Sequence, residues 1–310
     1  MSRTIPGLHH VTAICGPPQA NVDFYAGLLN QRLVKKTVNF DAPDTYHLYY
    51  GDSVASPGTI LTFFPFVNAG PGRAGAGMAS AVAYSVPAGG LDSWMARFAE
   101  RAVDFGAPAT RFGQRMFALR DPDGLQIELV ESGGAGPPGD PPTADGFHSV
   151  TLWVRNPEPT ARLLTELFGY DRAGEEADAS GRRQRLVAPG GGRGSVIDLL
   201  LSDAPSIGRQ GAGTIHHVAF RAESDEIQQE WRERVAAFGL DVTPVIDRQY
   251  FSAIYFREPG GILFEIATDP PGFATDEDQA ALGTHLMLPA QYERRRSDIE
   301  RLLPPIRVPA

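Results

Sequence analysis

The chain has 310 residues, of which 42% are apolar, and a formal net charge of −9 from 28 Lys and Arg against 37 Asp and Glu. Phosphate neutralisation needs clustered cations, and the runs Arg182-Arg183 and Arg294-Arg295-Arg296 are short and mixed with acid, which argues against a nucleic-acid partner. No apolar run reaches the roughly eighteen residues of a membrane span, the opening Met1-Ser2-Arg3-Thr4-Ile5-Pro6 carries no apolar export region, and the single Cys15 excludes a disulfide framework or thiolate cluster. The expectation is a soluble, cytoplasmic protein without a membrane partner, with Cys15 a small buried hydrophobe.

In chain order, one grammar occurs four times. A strand over 8–14 leads to an amphipathic helix over 20–29, and Ser56-Pro57-Gly58 introduces the closing strand. A second strand, 79–86, precedes a helix over 91–105 that ends at Phe105-Gly106, followed by the turn Asp121-Pro122-Asp123-Gly124. The third unit has a strand over 147–154, a helix over 157–168 ending at Phe168-Gly169, and a turn at 191–194. The fourth has a strand over 215–222, a helix over 223–238 ending at Phe238-Gly239, and the turn Glu258-Pro259-Gly260-Gly261. A period of about seventy residues is too long for a solenoid and fits a βαβββ module. The spacing predicts an α+β chain of four tandem βαβββ modules, at about 7–66, 78–132, 146–202 and 213–268. The modules divide as an N-terminal domain (1–140) and a C-terminal domain (141–270). The tail, 271–310, is expected to be partly helical, with Asp276-Glu277-Asp278 as a helix start and 289–303 as a polar helix. Such a tail could cover a cavity or dock a second copy, which leaves a homo-oligomer open.

The chemistry lies in a repeated dipeptide. His9-His10-Val11 and His216-His217-Val218 open equivalent strands, and Glu265 sits in the apolar run Ile262-Leu263-Phe264-Glu265-Ile266. Strand side chains alternate faces, so aligning Val11, Val150 and Val218 puts His10, Ser149 and His217 on one face and His9, His148 and His216 on the other. His148 with His217 and Glu265 would also make a two-histidine, one-carboxylate set, but the register favours His10. Aligning the Pro-Gly turns places Phe63, Glu128 and Glu265 at matching positions. Modules one and four then supply His10, His217 and Glu265 with an apolar fourth place, while Glu128 faces Ser149 and lacks partners. Three ligands with open positions suit a non-haem Fe(II) oxygenase, whereas a fourth acid would suit a lyase or isomerase. Thr12, two residues from His10, shares its face.

These motifs resemble the vicinal oxygen chelate superfamily, which includes glyoxalases, bleomycin resistance proteins and extradiol dioxygenases, and the resemblance implies that the four modules pair into two open half-barrels. Leu8-His9-His10-Val11-Thr12, Tyr46-His47-Leu48-Tyr49, Thr110-Arg111-Phe112-Gly113-Gln114-Arg115, Ile197-Asp198-Leu199-Leu200, Ile215-His216-His217, and Gly272-Phe273 leading to Asp276-Glu277-Asp278 are similar to the hydroquinone ring-cleaving dioxygenases typified by 2,6-dichlorohydroquinone 1,2-dioxygenase. The resemblance implies metal ligands His10, His217 and Glu265. It also implies catalytic roles for His9, Thr12, His216, Arg248 and Tyr255, and Fe(II), with Mn(II) as the second option. It implies a hydroquinone-type or catechol-type aromatic substrate whose ring is cleaved with insertion of both atoms of O₂. Arg248 is followed by Gln249 where the family tends to have glycine. A glyoxalase-like lyase or isomerase using Ni or Zn, and a metal-free small-molecule sequestering protein of the same fold, are the alternatives.

Overall fold

The computed structural model describes residues 3–132, 144, 146–202 and 206–309. Module one is β1 (Leu8–Cys15), a short helix α1 (Pro18–Val22) running into a π-helical turn (Asp23–Leu28), then β2 (Arg32–Asn39), β3 (Ala42–Gly51) and β4 (Ile60–Pro65). Module two is β5 (Met78–Val86), α2 (Gly90–Glu100), β6 (Ala109–Arg111), β7 (Gln114–Arg120) and β8 (Gln126–Glu131). Module three is β9 (Phe147–Trp153), α3 (Pro157–Arg162) with a π-helical turn (Leu163–Leu167), β10 (Asp171–Asp178), β11 (Gly181–Val187) and β12 (Val196–Leu201). Module four is β13 (Thr214–Ala222), α4 (Asp225–Ala237), β14 (Ile246–Asp247), β15 (Phe251–Arg257) and β16 (Leu263–Pro271). The βαβββ repeat is thus present four times. The boundary expected between residues 140 and 141 lies outside the described residues.

The strands form two eight-stranded sheets, ordered β14-β15-β16-β13-β1-β4-β3-β2 and β10-β11-β12-β9-β5-β8-β7-β6. Each joins two modules through an antiparallel pair of their first strands, β1 with β13 and β5 with β9. These central strands carry few exposed positions, and β1 is buried along its whole length because both its faces are covered. Val11, Val82, Val150 and Val218 all have no exposed surface and mark the same register position in the four modules. Cys15 is buried. Among the described residues, no helix is long and apolar enough to cross a membrane.

Two of the three Phe-Gly helix ends occur where expected. Gly169 and Gly239 take φ of 77° and 93°, the left-handed conformation that closes a helix at low cost. The helix expected over 91–105 stops at Glu100 instead. Ala102 turns left-handed at φ 52° and the Val103 amide closes onto the Phe98 carbonyl, so the helix caps without glycine. Phe105 then bridges to Leu119 in extended form.

The tail also departs from expectation. Asp276-Glu277-Asp278 leads only into one short 3₁₀ turn (Gln279–Ala281), with the Ala281 amide donating to the Asp278 carbonyl, because the side chains of the first two acids are used as acceptors elsewhere: both Asp276 and Glu277 bind Lys35, and Glu277 takes the Gly283 and His285 amides. The segment expected as one helix over 289–303 is a 3₁₀ stretch (Ala290–Arg295) followed by α5 (Arg296–Leu302). Ile299 and Leu303 pack into the main core.

Candidate metal centre

Pairing of β1 with β13 brings His10 and His217 across the seam between modules one and four, and β16, parallel to β13, adds Glu265. Their Nε2 atoms lie 3.4 Å apart, with Glu265 Oε2 at 2.9 Å from His217 Nε2 and 3.5 Å from His10 Nε2. All three residues are buried, and their ligand atoms lie within 4.8 Å of one another. Among the described residues neither Glu265 oxygen has a hydrogen-bond partner. Burial pushes the Glu265 carboxyl up, but the His10 and His217 imidazoles outweigh it and hold it well below the usual carboxylate range. An ionised carboxylate buried this deeply with only two imidazoles beside it costs several kcal/mol, which a cation bound by the two Nε2 atoms and Oε2 would relieve. The donor set therefore fits a divalent metal of the borderline kind.

The paired histidines behave differently from strict alternation. The β1–β13 register shifts between Leu8 and His10 on one strand and between His217 and Ile215 on the other, so His9 and His216 are each the extra residue of a bulge. A bulge re-aims the side chain. His9 Nδ1 lies 2.9 Å from His10 Nδ1, and His216 Nδ1 lies 2.8 Å from His217 Nδ1. With Nε2 of His10 and His217 offering lone pairs, their Nδ1–H groups donate to the unprotonated Nδ1 of the neighbour. That needs neutral acceptors. Burial and the adjacent imidazole lower His9 to about 3 and His216 to about 4, so both are neutral near pH 7. Losing such an orienting partner typically weakens metal binding about 10- to 100-fold. His216→Ala is therefore expected to raise the metal Kd by that range, read by chelator competition; an unchanged Kd contradicts the orienting role.

The position matching Glu265 in module one is Thr62, not Phe63. Val11 pairs with Leu61 just as Val218 pairs with Phe264, so the next residues, Thr62 and Glu265, correspond. The turn before β4 differs in length from the one before β16, and aligning the turns misplaced the register by one residue. Phe63 faces the other way, packed on Tyr25 and Tyr50 at centroid distances of 4.6 and 6.0 Å. Thr62 is held by Thr12 Oγ1 and by His47 Nε2, each at 2.8 Å, and Tyr49 Oη lies 2.7 Å from His47 Nδ1. The fourth place thus holds a neutral hydroxyl engaged by its neighbours, and Thr12 acts on Thr62 rather than on the cavity.

A cavity of about 330 Å³ opens beside the three residues, lined by His216, His47 and Tyr49 and by the rings of Phe40, Phe64, Phe66 and Phe251. Tyr255, opposite Glu265 in the β15–β16 ladder, and Arg248, on the turn before β15, also line it. Arg248 Nε donates to Tyr255 Oη at 3.2 Å, and its Nη1 lies 3.3 Å from Asp41. Burial, followed by the Glu265 charge, pushes the Tyr255 phenol far up, so it stays protonated. His9 and Thr12 stand one layer behind the wall. The sequence assigned no functional role to His47, Tyr49, Thr62 or Asp41, although His47 and Tyr49 lie in one of the strings that carry the resemblance. The alternation in Tyr46-His47-Leu48-Tyr49, which puts His47 and Tyr49 on one face, was a signal that could have found two of them.

The second half-barrel has replaced this chemistry with ion pairs. Ala81 and Ser149 stand in the histidine positions, and Glu128 and Asp198 in the positions of Thr62 and Glu265. Arg111 Nη1 binds Glu128 at 2.6 Å, so Glu128 does have a partner, and Arg185 grips Asp198 through two bonds of 2.8 Å. His148 lies in this sheet and bonds Ser149 and Gln114. Burial and then Arg185 lower its pKa to about 4. Its neutral form is favoured in the folded state, so this contribution is complete above the unfolded value near 6.5 and is lost as pH falls toward 4. His148→Asn is expected to flatten the stability loss between these pH values in denaturant titrations while metal content is retained. An unaltered acid limb contradicts the burial argument.

A family model described as Glyoxalase/Bleomycin resistance protein/Dioxygenase superfamily matches residues 7–129 and 146–266. The chain is 47% identical over 318 residues to "Putative ring-cleaving dioxygenase MhqO" of Bacillus subtilis (strain 168), covering 99% of each. It is 35% identical over 315 residues to the chlorohydroquinone/hydroquinone 1,2-dioxygenase of Sphingobium indicum, covering 96% of each. A solved Bacillus subtilis structure of 46% sequence identity superimposes with a TM-score of 0.92, over 99% of both chains.

Proposed function

We propose, for a chain that belongs to the Glyoxalase/Bleomycin resistance protein/Dioxygenase superfamily, that it is an Fe(II)-dependent dioxygenase cleaving the ring of a hydroquinone-type or catechol-type substrate with insertion of both atoms of O₂. The observation that carries this reading is the buried His10–His217–Glu265 cluster with Thr62 in the fourth place, beside an aromatic-walled cavity. The names of the Sphingobium indicum and Bacillus subtilis relatives support the same reaction class.

His10, His217 and Glu265 would hold the iron, which supplies the one-electron chemistry between a phenolate and dioxygen that side chains lack. Phe64 and Phe251 grip the ring, and the cavity walls limit water. Tyr255, kept protonated and receiving the Arg248 Nε–H, holds its hydroxyl beside Glu265 and lines the cavity, where it can donate its proton to a substrate oxygen. The Arg248 guanidinium steadies negative charge on that oxygen or on the ring-opened carboxylate. His9 and His216, neutral and accepting, fix the two imidazoles.

A lyase of the same fold would use a second acid or base where Thr62 stands. Loading the protein anaerobically with Fe(II) or with Zn(II), which has no redox chemistry, separates the two. The Fe(II) form is expected to consume O₂ on addition of hydroquinone or a catechol, and the Zn(II) form to consume none. Oxygen-free isomerisation of a thiol hemiacetal by the Zn(II) or Ni(II) form would establish the lyase instead.

A further inference from the structure

Arg248 stands on a turn that the rest of the chain holds from behind. Gln249 adopts φ 66°, a left-handed conformation that glycine takes freely and glutamine does not. Its side chain explains why it is there: Gln249 Nε2 donates to Asp276 Oδ2 at 2.7 Å, and Tyr250 Oη donates to the same oxygen at 2.9 Å. The other Asp276 oxygen takes Lys35 Nζ at 2.7 Å, and Lys35 also reaches Glu277 at 3.0 Å. Lys35 has no exposed surface, its ammonium sits 5.0 Å from the Tyr250 ring centre, and Tyr250 stacks on Phe273 at 5.2 Å. The turn itself is closed by Arg248 N to Phe251 O at 2.9 Å and Tyr250 N to Arg248 O at 2.7 Å. One carboxylate on the C-terminal tail therefore joins a buried lysine of β2 to Gln249 and Tyr250, the two residues that follow Arg248, and a buried charge pair of this kind has one favoured arrangement.

We propose that Asp276, acting through Gln249 and Tyr250 and anchored by Lys35, is a positioning residue that fixes the Arg248 side chain over the cavity, making the C-terminal tail part of the substrate-binding machinery. This rests on the reading of Arg248 as a substrate-binding residue. A mere structural contact would affect stability independently of Arg248; a positioning residue loses its effect once Arg248 is gone.

The test is a double-mutant cycle in the full-length Zn(II)-loaded protein, using Asp276→Ala, Arg248→Ala and both together. Hydroquinone binding is followed by calorimetry and amide exchange of segment 246–251 by mass spectrometry. Gln249→Met, which leaves the Lys35 ion pairs in place, is the second variant should Asp276→Ala fold poorly. Asp276→Ala is expected to weaken hydroquinone binding about tenfold in the wild-type background and less than about twofold in Arg248→Ala, with metal content unchanged. Exchange at 246–251 without hydroquinone is expected to rise about tenfold in Asp276→Ala, and in the same direction in Gln249→Met. Equal losses in both backgrounds, or unchanged exchange, overturn the proposal. If the wild-type protein binds no hydroquinone, the substrate reading fails and the exchange of 246–251 alone decides whether Asp276 holds the turn.

Discussion

Glu265→Ala is expected to weaken divalent-metal binding by about two to three orders of magnitude, the effect of removing the one anionic ligand from a buried site. The folded protein should survive, because the lost carboxylate contacts only the His10 and His217 imidazoles at the site and its removal takes away a buried charge that is costly without the metal. Glu128→Ala is the contrast, since it alters the equivalent register position of module two. It leaves Arg111, which is mostly buried and bound to Glu128 at 2.6 Å, with only the longer 3.8 Å contact to Asp178, and should cost about 3 kcal/mol of stability while leaving metal content intact. Metal analysis with urea titration of both variants checks this. If Glu128→Ala releases the ion, or Glu265→Ala keeps it, the assignment of the metal to the half-barrel of modules one and four is wrong.

The second large effect concerns Thr62. Thr62→Glu places a carboxylate at the register position of Glu265, across the site from it, and should turn a three-ligand set into a four-ligand one. Metal affinity is expected to rise about tenfold or more, while oxygen uptake with hydroquinone falls at least about a hundredfold because a position needed by substrate or O₂ is taken. Thr62→Val, which also breaks the bonds to Thr12 and His47 but adds no ligand, controls for the loss of the hydroxyl. Phe63→Glu would behave differently. It would bury a charge between Tyr25 and Tyr50, and the expected result is loss of soluble protein. Near-normal oxygen uptake by Thr62→Glu, with unaltered metal affinity, would show that position 62 does not face the ion.

The repeat and the pairing of module one with module four were legible because strand register is a strict period of two, and the Val11 and Val218 alignment needs no knowledge of loops. Turn lengths are not periodic. Aligning closing strands through their Pro-Gly turns therefore missed Thr62 by one residue. His9 and His216 could not be placed by alternation, since a bulge breaks the period that alternation relies on. Ala102 closing α2 in a left-handed conformation is rare for a residue other than glycine, and Asp276 and Glu277 binding Lys35, with only a short 3₁₀ turn after them, depend on a buried lysine more than two hundred residues earlier. Local propensity carries no information about either. His47 and Tyr49 were visible as neighbours on one strand face, but only the fold shows that this face looks into the cavity.

The most direct measurement is turnover of hydroquinone by the Fe(II)-reconstituted protein under isotopically labelled dioxygen, with mass analysis of the product. Ring cleavage with one O₂ consumed per ring and both labelled atoms in the acyclic product is the predicted result. A product carrying no label, or a ring that stays closed, would contradict the account.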